Sequence, residues 1–216
     1  MNSETERIPG PMSGRGSVGA KAAPRGADRT DEIRAVALRL FATNGYQATT
    51  MAHIADELGI RAPSIYNHVG SKNQLLREII VRTLDSLTEG FDEAIRSSQS
   101  PTIRLRRAFE AHVRFHARHK YEAFIGTRET RSLDPEALAE VLERSSSYER
   151  RFRELIREGV DAGEFNVASV HLASCALIDM GIGVAAWYEE DRSTGEDGLV
   201  FHYGEWAMRL LGVGAA

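Results

Sequence analysis

The chain has a single cysteine, Cys175, in 216 residues, which excludes an intramolecular disulfide framework and fits a reducing compartment. It sits in an apolar helical stretch, so the expectation is a buried structural thiol. No hydrophobic run is long and uncharged enough to span a bilayer. The most apolar one, Val170 to Trp187, is broken by His171 and Asp179. The N-terminal stretch lacks the apolar segment of a signal peptide, so no membrane association is expected and the location is expected to be cytoplasmic. Nor is there an excess of positive charge: at a net −4, any contact with nucleic acid must come from a local patch. Phosphate loops, nucleophile–base pairs and H-E-x-x-H patterns are absent too, so no catalytic residue and no cofactor is expected.

What remains is an ordinary globular composition, 42% hydrophobic and 27% charged, long enough for a sizeable core. Residues 1–27 are rich in Gly, Pro, Ser and Ala with scattered arginines, and read as a flexible basic arm. Such an arm either touches DNA or has no role. From there the pattern is helical throughout. Ile33, Val36, Ala37, Leu40 and Phe41 form one stripe of a helix starting near Thr30 and ending at Asn44-Gly45.

Residues 49–72 carry the most information. Thr50 suits a helix N-cap, Met51, Ile54, Ala55 and Leu58 form one stripe, and Gly59 suits a left-handed stop. A second short helix with Pro63 near its start carries Ile65, Tyr66 and Val69. Helix, glycine turn and short helix make a helix-turn-helix, whose second helix enters a DNA major groove. Ser71 and Gln74 then have the spacing of a capping box. Leu75, Leu76, Ile79, Ile80, Leu84, Leu87 and Phe91 extend that helix far beyond the module, as a mechanical link.

After the serine-rich break at 97–100, Leu105, Phe109, Val113 and His116 mark the next helix, and a shorter segment runs from Tyr121 to about Arg131. Asp134-Pro135 caps a long helix whose inner face carries Leu138, Val141, Leu142, Ser145, Tyr148, Phe152, Leu155 and Ile156. Two further helices, about Ser169 to Glu190 and Gly195 to Leu211, flank an acidic loop. The expected fold is all-α: a three-helix DNA-binding module at 28–75 and a larger helical domain at 76–216.

The runs Ile54-Ala55 with Gly59-Ile60, Ile65 to Val69, and Ser71-Lys72 with Leu75-Leu76 closely resemble the DNA-binding domain of TetR-family transcriptional regulators. Two positions depart from the pattern: Arg61 stands where Ser or Thr is usual, and Val69 where Phe is usual. The first removes a helix cap but adds a cation at the DNA edge. The resemblance implies that Tyr66, His68 and Lys72 grip phosphates, that Thr50 faces the backbone with its helix N-terminus, and that Arg61, Ala62, Ser64 and Asn67 face the groove. Against this, Tyr66 is also readable as a packing aromatic, His68 as a surface residue and Asn67 as a capping group.

The same resemblance implies a homodimer through the last two helices, repressing transcription from a palindromic operator until a small-molecule effector releases it. Phe109, His112, Val113, His116, Tyr121, Phe124, Tyr148 and Phe152 are the candidate effector lining, with plain core packing as the alternative for each. The runs Glu129 to Glu136 and Trp187 to Leu199 are similar to sensor domains that respond to acyl- or steroid-CoA thioesters. Arginines 104, 106, 107, 114 and 118 would then hold CoA phosphates, or form a solvated face paired with local acids. Three further readings compete: a metal-responsive regulator using His112, His116 and His119, a DNA binder without effector, and an enzyme. No cysteine stands near the three histidines in sequence, so no metal ligand is assigned.

Overall fold

A computed structural model describes residues 26–96, 100–190 and 194–214, with the side chains of 26–28 excepted. The arm up to residue 25, serines 97–99 and residues 191–193 of the acidic loop lie outside it. Among the described residues all regular structure is helical.

Helix α1 (Gly26–Asn44) begins ahead of Thr30, buries Ile33, Ala37, Leu40 and Phe41, and stops at Gly45 with φ +86°. The following turn is pinned from inside. The Thr49 side chain is fully buried, with its hydroxyl 2.9 Å from Gly45 O and 3.2 Å from Leu40 O. Helix α2 (Met51–Glu57) opens on Thr50, whose hydroxyl accepts from His53 N at 3.2 Å, while His53 Nδ1 accepts from Thr50 N at 3.4 Å. A histidine thus completes the capping box, a role normally taken by Glu or Gln. Gly59, at φ +65°, turns the chain into the single-turn helix α3 (Ala62–Ile65). Arg61 caps it without a side-chain bond, as its departure from Ser or Thr requires. Ile65 and Val69 are buried, whereas Tyr66 lies just past the helix and is 54% exposed.

Helix α4 (Lys72–Ile95) starts at Ser71, whose hydroxyl accepts from Gln74 N. The expected reciprocal bond is displaced by one residue: Gln74 Oε1 accepts from Gly70 N at 3.2 Å instead. Helices α5 (Pro101–Arg118), α6 (Lys120–Arg128) and α7 (Pro135–Asp161) follow, with a 3-10 turn at Thr130–Ser132. Asp134 caps α7 by accepting from Ala137 N. On α7, Leu142 is exposed rather than inward, since it stands one residue, about 100°, from buried Val141. Ser145 is also exposed. Helix α8 (Val170–Val184) ends before the expected Glu190, because the chain turns at Ala185–Trp187, and α9 (Gly195–Leu210) closes the fold.

Two apolar clusters result. One joins α5, α7, α8 and α9 around Phe109, Phe152 and Leu177. The other is the core of the DNA-binding module, and it does not stop at α4: Ile125, Leu133, Ala137 and Val141, from α6 to α7, belong to it. Asn73 ties the same elements by polar bonds, donating to Ser132 O at 2.9 Å and accepting from Asp134 N at 3.4 Å.

Replacing Gly59 by Ala puts a Cβ into left-handed backbone and should cost about 1 kcal/mol. A urea midpoint lowered with an unchanged slope is the expected result; an unchanged midpoint would show the turn to be slack.

Candidate DNA interface and effector cavity

Of the residues proposed to meet DNA, Thr50, Arg61, Tyr66, Asn67 and His68 are exposed, Ser64 and Lys72 are half-buried, and Ala62 packs against the core of the module. Thr50 caps α2, and Arg61, Ala62 and Ser64 span the start of α3. Tyr66, Asn67 and His68 form the exposed turn after it. Burial of Ile65 and Val69 fixes which way the turn faces. Arg61 has no ion-pair partner among the described residues, so its guanidinium is available to an anion or a base edge.

Lys72 departs from its expected role. Its Nζ donates to Tyr46 O and Thr49 O, both at 3.0 Å, and stands 4.2 Å from the centre of the Tyr46 ring. Two of three ammonium protons are committed to the α1–α2 turn, so one is left for a phosphate. The lysine clasps the start of α4 to the module as much as it offers charge to DNA.

Beside the module lies a cavity of about 400 Å³. Its apolar wall includes Ile80, Leu84 and Leu87 of α4, Val141 of α7, and Ile178 and Ile182 of α8. His112, His116 and Tyr148 line it as well, with Glu122, Glu149 and Asp179; no lysine or arginine does. Hydrogen bonding fixes the tautomer of His112. Its Nε2 is 3.1 Å from Ile178 O, which only accepts, so Nε2 carries the proton. Burial pushes the pKa of His112 down to about 4, leaving a neutral ring whose Nδ1 accepts from the Tyr148 hydroxyl at 3.0 Å. Burial raises the Tyr148 pKa, which keeps that proton in place. Gly181 permits the arrangement, because a Cβ there would overlap the His112 ring.

His116 is the unfinished part. It is 3% exposed, edge-on to His112 at 4.6 Å between ring centres, and neither ring nitrogen has a hydrogen-bond partner. Burial, then the His112 and His119 rings, depress its pKa to about 2. A neutral imidazole therefore carries one donor and one acceptor, neither of them paired with a described residue.

Sequence comparisons fit this geometry. Residues 33–79 match the family described as "Bacterial regulatory proteins, tetR family", and residues 98–211 match "Tetracyclin repressor-like, C-terminal domain". The chain belongs to the TetR family. A TetR-family regulatory protein from Rhodococcus RHA1, known from its crystal structure, is 31% identical, with a TM-score of 0.79 over 85% of this chain and 97% of its own. The transcriptional repressor KstR2 of Mycolicibacterium smegmatis is 29% identical over 64% of this chain and 68% of its own. The structure of AibR in complex with isovaleryl coenzyme A and operator DNA shares the fold at a TM-score of 0.75 and 21% identity, covering 85% and 97% of the two chains. The chain is thus a TetR-family transcriptional regulator, built on the all-α fold expected of it. Among the described residues no helix is long and apolar enough to cross a membrane.

Within this TetR-family sensor domain the expected effector residues divide. His112, His116 and Tyr148 line the cavity. Phe109, Val113 and Phe152 are wholly buried behind it as core. Tyr121 and Phe124 face a separate groove with Lys120, Arg128 and Ala186, because α6 turns that face away. Sequence reasoning missed the α4 and α8 walls, whose apolar spacing looked like ordinary core. Four of the five arginines expected near CoA phosphates are already paired: Arg104 with Glu158, Arg106 with Glu110 and Glu205, Arg114 and Arg118 with Glu196. Glu129 to Glu136 packs against the DNA module and does not line the cavity. His119 leaves the helix as its C-cap and stacks on Phe115, so the three histidines do not converge. Cys175 is half-buried on the cavity wall, contrary to the expected buried thiol.

Both buried histidines must charge when the chain unfolds in acid. Their pKa values lie below the unfolded value of 6.5, so this contribution is complete above pH 6.5 and falls as pH drops through it. Each should remove up to about 1.4 kcal/mol of stability per pH unit between pH 6 and 4. Denaturant titrations of the wild type and His116→Phe should show a shallower pH slope in the variant; identical slopes would place the His116 ring in water.

Proposed function

We propose that the protein represses transcription as a homodimer on a palindromic operator and leaves it when a small molecule fills the cavity. Residues 28–75 form the DNA-binding module in this reading, and 76–216 sense the effector and dimerise. The observation that carries it is the cavity wall: Ile80 and Val141 both line the cavity and belong to the core of the DNA-binding module. A molecule that prefers another spacing of α4 and α7 must shift that core, and the coupling equals its difference in affinity between the two arrangements.

Several features support the rest. Leu172 on α8 and Phe201, Trp206 and Leu210 on α9 are exposed, apolar and close in sequence to small residues, which suits a helix-on-helix dimer face. Two recognition helices about 34–36 Å apart would then meet successive major grooves. Thr50, Tyr66, His68 and the third proton of Lys72 would hold phosphates, while Arg61, Ala62, Ser64 and Asn67 would face bases. An acyl-CoA thioester is the candidate effector. Its acyl chain and thioester carbonyl would enter the cavity, where the His116 N–H can donate to the carbonyl. Its phosphates would stay outside, since Glu122, Glu149 and Asp179 line the cavity and no lysine or arginine does.

Fluorescence anisotropy with promoter DNA at two salt concentrations, with and without a panel of acyl-CoA thioesters, tests the proposal. Salt-sensitive binding released by one thioester is expected, with release lost in His116→Phe. Binding that no thioester moves would remove the CoA reading, and no binding above background would remove the operator reading. Tyr66→Phe should weaken DNA binding by about 1 kcal/mol per half-site while leaving the unfolding midpoint unchanged, as the ring is exposed. An unaltered affinity would take Tyr66 off the phosphate.

A further inference from the structure

We propose that Glu149, His171 and Cys175 form a binding site for one zinc-class divalent cation, joining α7 to α8 at the cavity wall. His171 and Cys175 stand one turn apart on α8, and Glu149 meets them from α7. The His171 Nδ1 is 3.8 Å from Cys175 Sγ and 3.6 Å from a Glu149 carboxylate oxygen, and all three ligand atoms lie within 4.8 Å of one another. Tetrahedral zinc with its usual bond lengths needs N···S and N···O separations of roughly 3.5 and 3.3 Å. The two sides that meet at His171 are therefore open by only a few tenths of an ångström, and the thiol-to-carboxylate side, within 4.8 Å against roughly 3.5 Å for tetrahedral zinc, is the one that side-chain torsions must close. Among the described residues this is the one such convergence of histidine, cysteine and carboxylate.

The donor set selects the metal. A thiolate and an imidazole suit zinc and its borderline-soft neighbours, and disfavour magnesium and calcium, which take oxygen. Binding would release the Cys175 thiol proton to solvent, so thiolate and carboxylate together neutralise the dication. Glu149 is already oriented for this. Arg153 bonds both of its oxygens and holds its carboxyl below the usual range, and the Ser174 hydroxyl donates to it at 2.6 Å. Ligation would draw Oε1 away from Ser174 and from Arg153 Nε and leave Oε2 with the other Arg153 nitrogen. Three protein ligands leave a position for water or for a donor atom of a molecule in the cavity, which Glu149 and Cys175 both line. The ion would thus fasten two walls of the cavity to each other.

Cobalt(II) is the probe, titrated into the reduced full-length protein. A thiolate-to-cobalt charge-transfer band saturating at one ion per chain and bleached by zinc is expected. Cys175→Ser should abolish the band and His171→Ala should weaken cobalt binding about tenfold or more, while His116→Ala leaves both unchanged. Absence of the band overturns the site. So does a band at full strength in both His171→Ala and Glu149→Gln, or saturation at half an ion per chain, which would place the thiolate between two copies. Far-UV circular dichroism and DNA binding of each variant are read in parallel. A variant that keeps its fold and its DNA affinity while losing cobalt isolates the metal site from the regulatory reading.

Discussion

Ile80 and Val141 are each buried once but serve two regions, and the rest of the molecule depends on that sharing. A close-packed interior resists compression, so a side chain that walls a cavity and also packs a helix-turn-helix cannot move in one place alone. The sequence pattern suggests a single rod, the helix from Lys72, as the mechanical link. The structure adds a second contact surface. Ile125, Leu133 and Ala137 pack into the same core, Asn73 bonds the 3-10 turn and the start of α7, and Arg77 pairs with Glu140 at 2.6 Å. The link is a braced panel of α4, α6 and α7.

Polar groups inside such a panel are costly unless paired, and the cavity handles its own unequally. Ile178 O, His112 and Tyr148 form a closed chain in which every donor has an acceptor. His116 sits beside it with two unmet nitrogens. Had stability alone shaped the position, a leucine or phenylalanine would serve better there.

Much of this was legible from local chemistry. Thr50, Ser71 and Asp134 announce helix starts, Gly45 and Gly59 announce stops, and all five behave accordingly because caps and left-handed turns are decided within four residues. The failures are non-local. Nothing near Lys72 in sequence shows that the carbonyls of Tyr46 and Thr49 wait for it, and His53 completes a capping box that a search for Glu or Gln passes over. The cavity was half seen. Aromatics on α5 and α7 stand out, yet Phe109 and Phe152 proved to be packing, while the unremarkable Thr83, Leu84 and Ile178 line the space. Periodicity marks which face of a helix is inside; it cannot distinguish touching another side chain from touching a void.

The charges around the cavity carry the argument one step further. The arginines of α5 look, in sequence, like an anion receptor, but Arg104, Arg106, Arg114 and Arg118 are each matched to acids on other turns or helices. They hold α5 to α7 and α9, and engaging a phosphate would mean exchanging one anion for another at surface positions where either bond contributes little. Inside, Glu122, Glu149 and Asp179 line the space and no lysine or arginine does, so an anionic group would find no cation there. Selectivity between ligands that share a charged carrier would then rest on the uncharged part alone: its fit to Ile80, Leu84, Val141 and Ile182, and one hydrogen bond at His116. Missing methylenes at such a wall change affinity by about 1–3 kcal/mol, whereas a missing polar group leaves His116 as unpaired as before. Under the proposed effector reading, the site would recognise the shape of a small apolar body and the position of a single polar atom on it.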